Sequence, residues 1–197
     1  MENATSTETM SSDRIKLPFQ FNADKMLAEV RKMNLQNFTY YNVIQLRGPA
    51  HLVDSSLPFP PPADDYADGT WTDWLDTSDL KQSPYLQEVV DFFKEHITVN
   101  LIRLLRLEPG AEVKEHCDPT LGIHIERSMV RLTIPILSND DVHFILNGKE
   151  VPLKPGDCWY LRLTDPHKVL NQSAEERINL TIDVIPNDWL RNLLAGQ

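Results

Sequence analysis

The chain has 197 residues, 41% of them apolar, and a formal net charge of −10 from 19 Lys+Arg against 29 Asp+Glu. That length suits one domain with enough apolar material for a packed core. The acidity removes any general attraction for a phosphate backbone, which argues against nucleic acid as a partner, and no apolar run nears the roughly 20 residues of a membrane helix. A cationic or zwitterionic small substrate is compatible with the charge.

In chain order, "MENATSTETMSSD" (1–13) lacks an apolar signal core and reads as a disordered polar tail. Residues 14–197 read as a single domain, with a helix-containing part over 14–98 and a β-rich core over 99–190. In "NADKMLAEVRKMN", Met26, Leu27, Val30 and Met33 recur at helical spacing, and Asn22 or Asp24 suits the cap. "NFTYYNVIQLRG" is strand-like. Residues 57–79, "LPFPPPADDYADGTWTDWLDTSD", form a long irregular stretch. It reads either as a binding loop or lid carrying Trp71 and Trp74, or as a proline-stiffened loop whose tryptophans fill the core. "SPYLQEVVDFFKEH" is an amphipathic helix with Ser83 as cap, Pro84 at the first position, and Leu86, Val89, Val90 and Phe93 as its buried stripe.

From residue 99 the apolar period falls to two. Strands are predicted at "VNLIRLLRL", "AEVKEHC", "MVRLTIPIL", "VHFILNG", "KEVPL", "CWYLRL", "HKVLN" and "RINLTIDVI". Turn pairs such as Pro109-Gly110, Asn147-Gly148 and Pro155-Gly156 separate them. Eight short strands in so little chain predict a mainly β fold with flanking helices: a two-sheet antiparallel jelly roll, whose mouth is a common place for a small-molecule pocket.

Two copies of His-x-carboxylate lie close together, His116-Cys117-Asp118 and His124-Ile125-Glu126. With 6 His and 29 acidic residues in 197, roughly one such match is expected by chance, so context has to decide. His116 and Asp118 close a strand, where residues two apart share a face, and Cys117 points the other way. Pro119 then ends the strand, which puts the pair at a rim. His124 lies in a segment without clear periodicity, as a surface residue or a pocket-lining one. His167, just after the Asp165-Pro166 turn, is the best third ligand. His51, His96 and His143 sit in a loop, at a helix end and within a strand.

Two imidazoles and one carboxylate with open positions suit non-heme Fe(II) that must also bind a cosubstrate and dioxygen. Zinc on the same ligands would make a hydrolase. Arg177, entering an apolar strand, either receives an anionic ligand on its planar fork or pairs with Glu175 or Glu176. Arg131 poses the same choice between an interior carboxylate and the solvent face. The two cysteines, Cys117 and Cys158, make no disulfide framework and read as reduced thiols of a cytoplasmic protein. The oligomeric state is not legible.

The segments "LRLEPGAEVKEHCD", "RLTIPI" and "GDCWYLRLTDPHKVLNQSAEERINLTIDV" resemble the aspartyl/asparaginyl β-hydroxylase-like branch of the Fe(II)- and 2-oxoglutarate-dependent oxygenases, over roughly residues 99–190. That branch also contains free-proline hydroxylases. The resemblance implies a double-stranded β-helix, cupin-like in outline, with iron on His116, Asp118 and His167. It implies Arg177 on the distal carboxylate of 2-oxoglutarate, with dioxygen as the third reactant. Arg131 falls where an arginine contacts a cosubstrate or substrate carboxylate. Thr133 stands where many members have a histidine. Peptide-modifying members lack the carboxylate ligand found here as Asp118, and carry a serine where this chain has Leu105. Both departures point to a small, amino-acid-like substrate, with His124, Trp71 and Trp74 as candidate substrate contacts. Hydroxylation of a peptide Asp or Asn, and a non-catalytic cupin-like metal sensor, are the rival readings.

Overall fold

The computed structural model describes residues 12–33, 38, 42–60 and 68–196; of the expected polar tail, only Ser12 and Asp13 fall among them. The elements in order are β1 (Arg14–Gln20), α1 (Ala23–Val30), β2 (Val43–Pro49), α2 (Ala50–Val53), β3 (Trp74–Asp76), α3 (Ser78–Lys81), α4 (Pro84–Lys94), β4 (Val99–Leu107), β5 (Glu112–His116), β6 (Val130–Leu137), β7 (Val142–Leu146), β8 (Lys149–Val151), β9 (Asp157–Leu161), β10 (His167–Asn171), β11 (Arg177–Val184) and α5 (Asp188–Ala195). All eight strands predicted after residue 99 are present. Among the described residues no helix is long and apolar enough to cross a membrane.

The strands form two antiparallel sheets, a seven-stranded one ordered β1-β9-β6-β11-β4-β2-β3 and a four-stranded one ordered β5-β10-β7-β8. This is the double-stranded β-helix that the sequence predicts. The larger sheet does not stop at residue 99, because β1, β2 and β3 from the N-terminal half extend both of its edges. β1 carries Pro18, which lacks an amide donor, and it sits on an edge where only β9 pairs with it. The Asn147-Gly148 pair, with φ of 51° and 70°, joins β7 to β8 through the left-handed turn that two-residue hairpins favour.

The larger sheet is covered on both faces. Outside, α1 and α4 lay Met26, Val30, Leu86, Val90 and Phe93 against Ile102, Leu104, Leu132, Ile134, Leu180 and Ile182. Inside, Leu107, Trp159 and Leu161 meet Phe144, Leu146 and Val169 of the smaller sheet. Every residue of β11 is therefore buried, yet its inward positions are Arg177, Asn179, Thr181 and Asp183. Burying four polar side chains in one lane is unfavourable unless each finds a partner, so this lane marks the interior as a site.

Asn22 caps α1 as expected, accepting from the Lys25 amide at 3.0 Å. The expected Ser83 cap of α4 is absent; its hydroxyl donates to the Asp79 carbonyl. The buried Glu29 carboxylate of α1 replaces it, accepting from the Tyr85 and Leu86 amides at 2.8 Å each. Glu29→Gln keeps the shape but offers one carbonyl oxygen to two donors and removes a charge from a helix N-terminus. It should destabilise the fold by about 1–2 kcal/mol, read as a lowered urea midpoint; an unchanged midpoint would contradict this account of the cap. Within the stretch 57–79, residues 61–67 lie outside the described ones, and the rest contains β3 and the start of α3. α5 was not anticipated.

Candidate metal centre

His116 ends β5 and His167 begins β10, and the two are direct cross-strand partners with ring centroids 4.2 Å apart. Each imidazole is oriented by its Nδ1, which lies 2.8 Å from the Lys114 carbonyl in His116 and 2.9 Å from the Asp165 carbonyl in His167. A carbonyl can only accept, so both Nδ1 atoms carry a proton and Nε2 is the nitrogen each ring has left for a metal. Burial pushes the His167 imidazole below its ordinary value, which keeps it in the neutral, ligating form. Phe144 stacks on its ring at 5.8 Å and 9°.

Asp118 follows the end of β5, and its amide donates to the Leu163 carbonyl at 2.8 Å. Its Oδ1 lies 3.8 Å from His116 Nε2. One ligand atom from each of His116, Asp118 and His167 falls within 4.8 Å of the others. The donor set, two imidazole nitrogens and one carboxylate oxygen, fits a divalent ion. Cys117 is exposed and stands outside this group. His124 is exposed in the turn between β5 and β6, and neither it nor Glu126 belongs to the group.

The turn that carries His167 is braced by side chains whose role in it the sequence does not signal. Asp165 accepts from Arg162 Nε at 2.8 Å and from Asn147 Nδ2 at 2.6 Å. The Asn147 amide holds the Pro166 carbonyl at 2.9 Å, and the Asn147 side chain also donates to Asp13 at 2.8 Å. The hydrogen bond from Arg14 outweighs desolvation and holds the Asp13 carboxyl down to about 2.

Several guanidinium-bearing or polar positions of the larger sheet face inward near these ligands. Arg131 is the cross-strand partner of Asp183. Its Nε and Nη2 donate to the two Asp183 oxygens at 2.7 and 2.8 Å, and its Nη1 lies 3.5 Å from Asp118 Oδ2. It thus faces the interior rather than solvent, and the carboxylates it meets belong to the protein. Burial alone would lower its pKa, but Asp183 outweighs that and the net shift is upward. Arg103 reaches the same Asp183 from the other side, at 3.8 Å. Its Nε is buried without a hydrogen-bond partner, and burial followed by repulsion from Arg131 lowers its pKa. Thr133 is buried between Thr181 and Trp159 as their cross-strand partner, and the Trp159 indole N–H is likewise buried without an acceptor.

Arg177 opens β11 opposite Leu107 and is 6% exposed. Neither Glu175 nor Glu176 pairs with it; Glu176 lies by Arg106 instead, at 3.8 Å. Among the described residues no carboxylate forms an ion pair with Arg177. Asn179, with its amide oxygen turned toward the guanidinium, accepts from it. Burial pushes the Arg177 pKa down to about 10 with nothing to offset it. A buried cation without a counter-charge is the arrangement expected of a receptor for an anionic ligand.

Trp71 and Trp74 are half-buried and pack edge to face at 6.4 Å, with the Trp74 indole donating to the Gly69 carbonyl at 2.8 Å. Their segment is clamped to the end of the larger sheet that carries Arg131 and Asp183. Asn100 of β4 donates to the Asp68 carbonyl at 2.8 Å, and Arg127, just before β6, donates to the Asp68 carboxylate at 3.0 Å.

The fold and the site together define a double-stranded β-helix protein with a two-histidine, one-carboxylate cluster at the barrel rim. The sequence profile of the aspartyl/asparaginyl β-hydroxylase family matches residues 69–186, and the chain belongs to that family, which places it among oxygenase-type hydroxylases. Similar solved structures include the apo form of the non-heme monooxygenase ThoJ, at 14% identity and a TM-score of 0.55 over 89% of this chain and 75% of that one. They also include an oxidoreductase of the 2OG-Fe(II) oxygenase family from Burkholderia pseudomallei, at 12% identity and a TM-score of 0.54 over 87% of this chain and 84% of that one. Identities this low speak for the fold alone. No curated protein sequence matches the chain.

Proposed function

We propose that the chain is an Fe(II)- and 2-oxoglutarate-dependent dioxygenase that hydroxylates an unactivated C–H bond of a free amino acid or similar small metabolite. His116, Asp118 and His167 would hold the metal, and Arg177 would take the distal carboxylate of the cosubstrate. Bound together, iron and 2-oxoglutarate supply the oxidising power by which dioxygen hydroxylates the substrate while succinate and carbon dioxide leave. The chain's own contribution is to orient both imidazoles through Nδ1 with Nε2 forward and to fix Asp118 as the carboxylate ligand.

The observation that carries this reading is Arg177: a buried guanidinium on the inner face of the barrel, without a carboxylate partner among the described residues. A zinc hydrolase has no general need for it. The two similar structures, a non-heme monooxygenase and a 2OG-Fe(II) oxygenase, support the class.

The small-substrate reading rests on Asp118, which peptide-modifying relatives lack by the resemblance above, and on Arg103. Arg103 shares the single charge of Asp183 with Arg131 and keeps a buried Nε–H without a partner, which makes its guanidinium the candidate contact for a substrate carboxylate. His124, Trp71 and Trp74 remain candidate substrate contacts. A cytoplasmic location and the lack of nucleic-acid or membrane partners belong to the same proposal. Hydroxylation of an Asp or Asn within a peptide is the second reading, favoured by the family's description.

A succinate-release screen with iron, ascorbate and 2-oxoglutarate, across free amino acids and short Asp- or Asn-containing peptides, separates the two. Release stimulated by free amino acids supports the first, and release with peptides alone supports the second. With the substrate so found, Arg103→Met should raise its KM roughly 10–100-fold and leave the 2-oxoglutarate requirement unchanged. An unchanged substrate KM would remove Arg103 from recognition.

A further inference from the structure

We propose that Asp183 is a positioning residue of the metal centre, acting through Arg131 on the Asp118 oxygen that an ion does not use. The inference rests on the reading of His116, Asp118 and His167 as the ligand set.

Asp183 is 1% exposed, in the middle of a sheet where an aliphatic residue would satisfy packing. A carboxylate in that place is costly to bury, and as an isolated ion pair it would be weak evidence for stability. Its geometry points elsewhere. Both oxygens are taken by the Arg131 fork, through Nε at 2.7 Å and Nη2 at 2.8 Å. This two-point grip fixes the plane of the guanidinium and leaves one nitrogen, Nη1, directed at Asp118 Oδ2 at 3.5 Å. The other Asp118 oxygen, Oδ1, faces the ligating side of His116, 3.8 Å from Nε2.

The Asp118 carboxylate is thus divided, one oxygen toward the metal position and one toward a guanidinium that cannot swing away. A carboxylate free to rotate can bind an ion through both oxygens and fill two coordination positions. Arg131, locked by Asp183, opposes that and keeps Asp118 a one-oxygen ligand, so that the remaining positions stay open. Arg131 is then committed to the protein's own carboxylates, and ligand anions are left to Arg177 and Arg103.

The test is anaerobic titration of the purified protein with Co(II), following both the dissociation constant and the visible d–d absorption. The variants are Asp183→Asn, which keeps the shape but breaks the fork, and the double change Arg131→Gln with Asp183→Asn, which leaves no unpaired charge at that pair. Thermal melting checks that each is folded. The expected result in both is a d–d band of altered position and intensity, as Asp118 takes a second coordination position, with a dissociation constant shifted from wild type by about 10–100-fold. Loosening of the sheet alone would not alter the band. A folded variant of either kind with wild-type affinity and a wild-type band would overturn the proposal. Asp118→Ala, run alongside, separates the two levels: if it too binds Co(II) as wild type does, the ligand set itself is wrong, and not only its positioning.

Discussion

Asp118→Ala is expected to abolish turnover and to weaken Fe(II) binding on the order of 100-fold or more, beyond the range usual for residues that only support ligands. The reason is the composition of the site. His116 and His167 supply imidazole nitrogens, and Asp118 supplies the only carboxylate of the cluster. Removing it leaves a divalent ion with two imidazoles on adjacent strands and no charge compensation. It also leaves Arg131 Nη1, now 3.5 Å from Asp118 Oδ2, beside the metal position without that carboxylate. Succinate release and direct metal titration check the two halves of the prediction. Full activity in the alanine variant would take Asp118 out of the metal shell.

The second large effect is at Arg177. Arg177→Met should raise the 2-oxoglutarate requirement by roughly two to three orders of magnitude, because truncating one partner of a buried charge pair is worth about 2–5 kcal/mol. The same substitution has an unusual expected sign for stability. In the ligand-free protein the guanidinium is buried, 6% exposed, and desolvation alone accounts for its pKa being pushed down to about 10. Replacing it with an apolar side chain of similar length removes an uncompensated charge, so the ligand-free variant should melt no lower than wild type. What it should lose is the rise in melting temperature that 2-oxoglutarate would produce by binding the folded state. A structural arginine would behave in the opposite way, with lower stability and an unchanged cosubstrate requirement. Melting curves with and without 2-oxoglutarate, together with steady-state kinetics, distinguish the two.

The parts of this architecture that were legible in the sequence are those fixed by local rules. The eight strands after residue 99 could be placed because alternation and turn residues are properties of adjacent positions, as at Asn147-Gly148, where the chain needs the left-handed conformation. His116 and Asp118 could be placed at a rim because a strand puts residues two apart on one face, and the structure adds that His116 and His167 are direct partners across β5 and β10. β1 was missed although R-I-K-L-P-F-Q alternates, because a proline argues against a strand and only an edge position tolerates one. β3 was missed because three residues carry no period.

The Ser83 cap failed for a tertiary reason, since a carboxylate 56 positions earlier in the chain reached the Tyr85 amide. The polar lane of β11 was present in the letters R-I-N-L-T-I-D-V, but alternation in a strand ordinarily means one solvent face. Only the helices packed over the outer face show that Asn179, Thr181 and Asp183 point into the barrel instead. The grip of Asp183 on Arg131 spans 52 residues and has no local signature. It follows from the register of β6 on β11, which is known only once the sheet is assembled.

The most direct measurement is anaerobic addition of Fe(II) and 2-oxoglutarate to the wild-type protein, read by visible absorption. A chain in which His116, Asp118 and His167 leave adjacent positions open for a chelating keto acid, and Arg177 holds its far end, should develop a weak metal-to-ligand charge-transfer band saturating at one equivalent of each. Absence of that band at saturating iron and cosubstrate, in folded protein, would contradict the account.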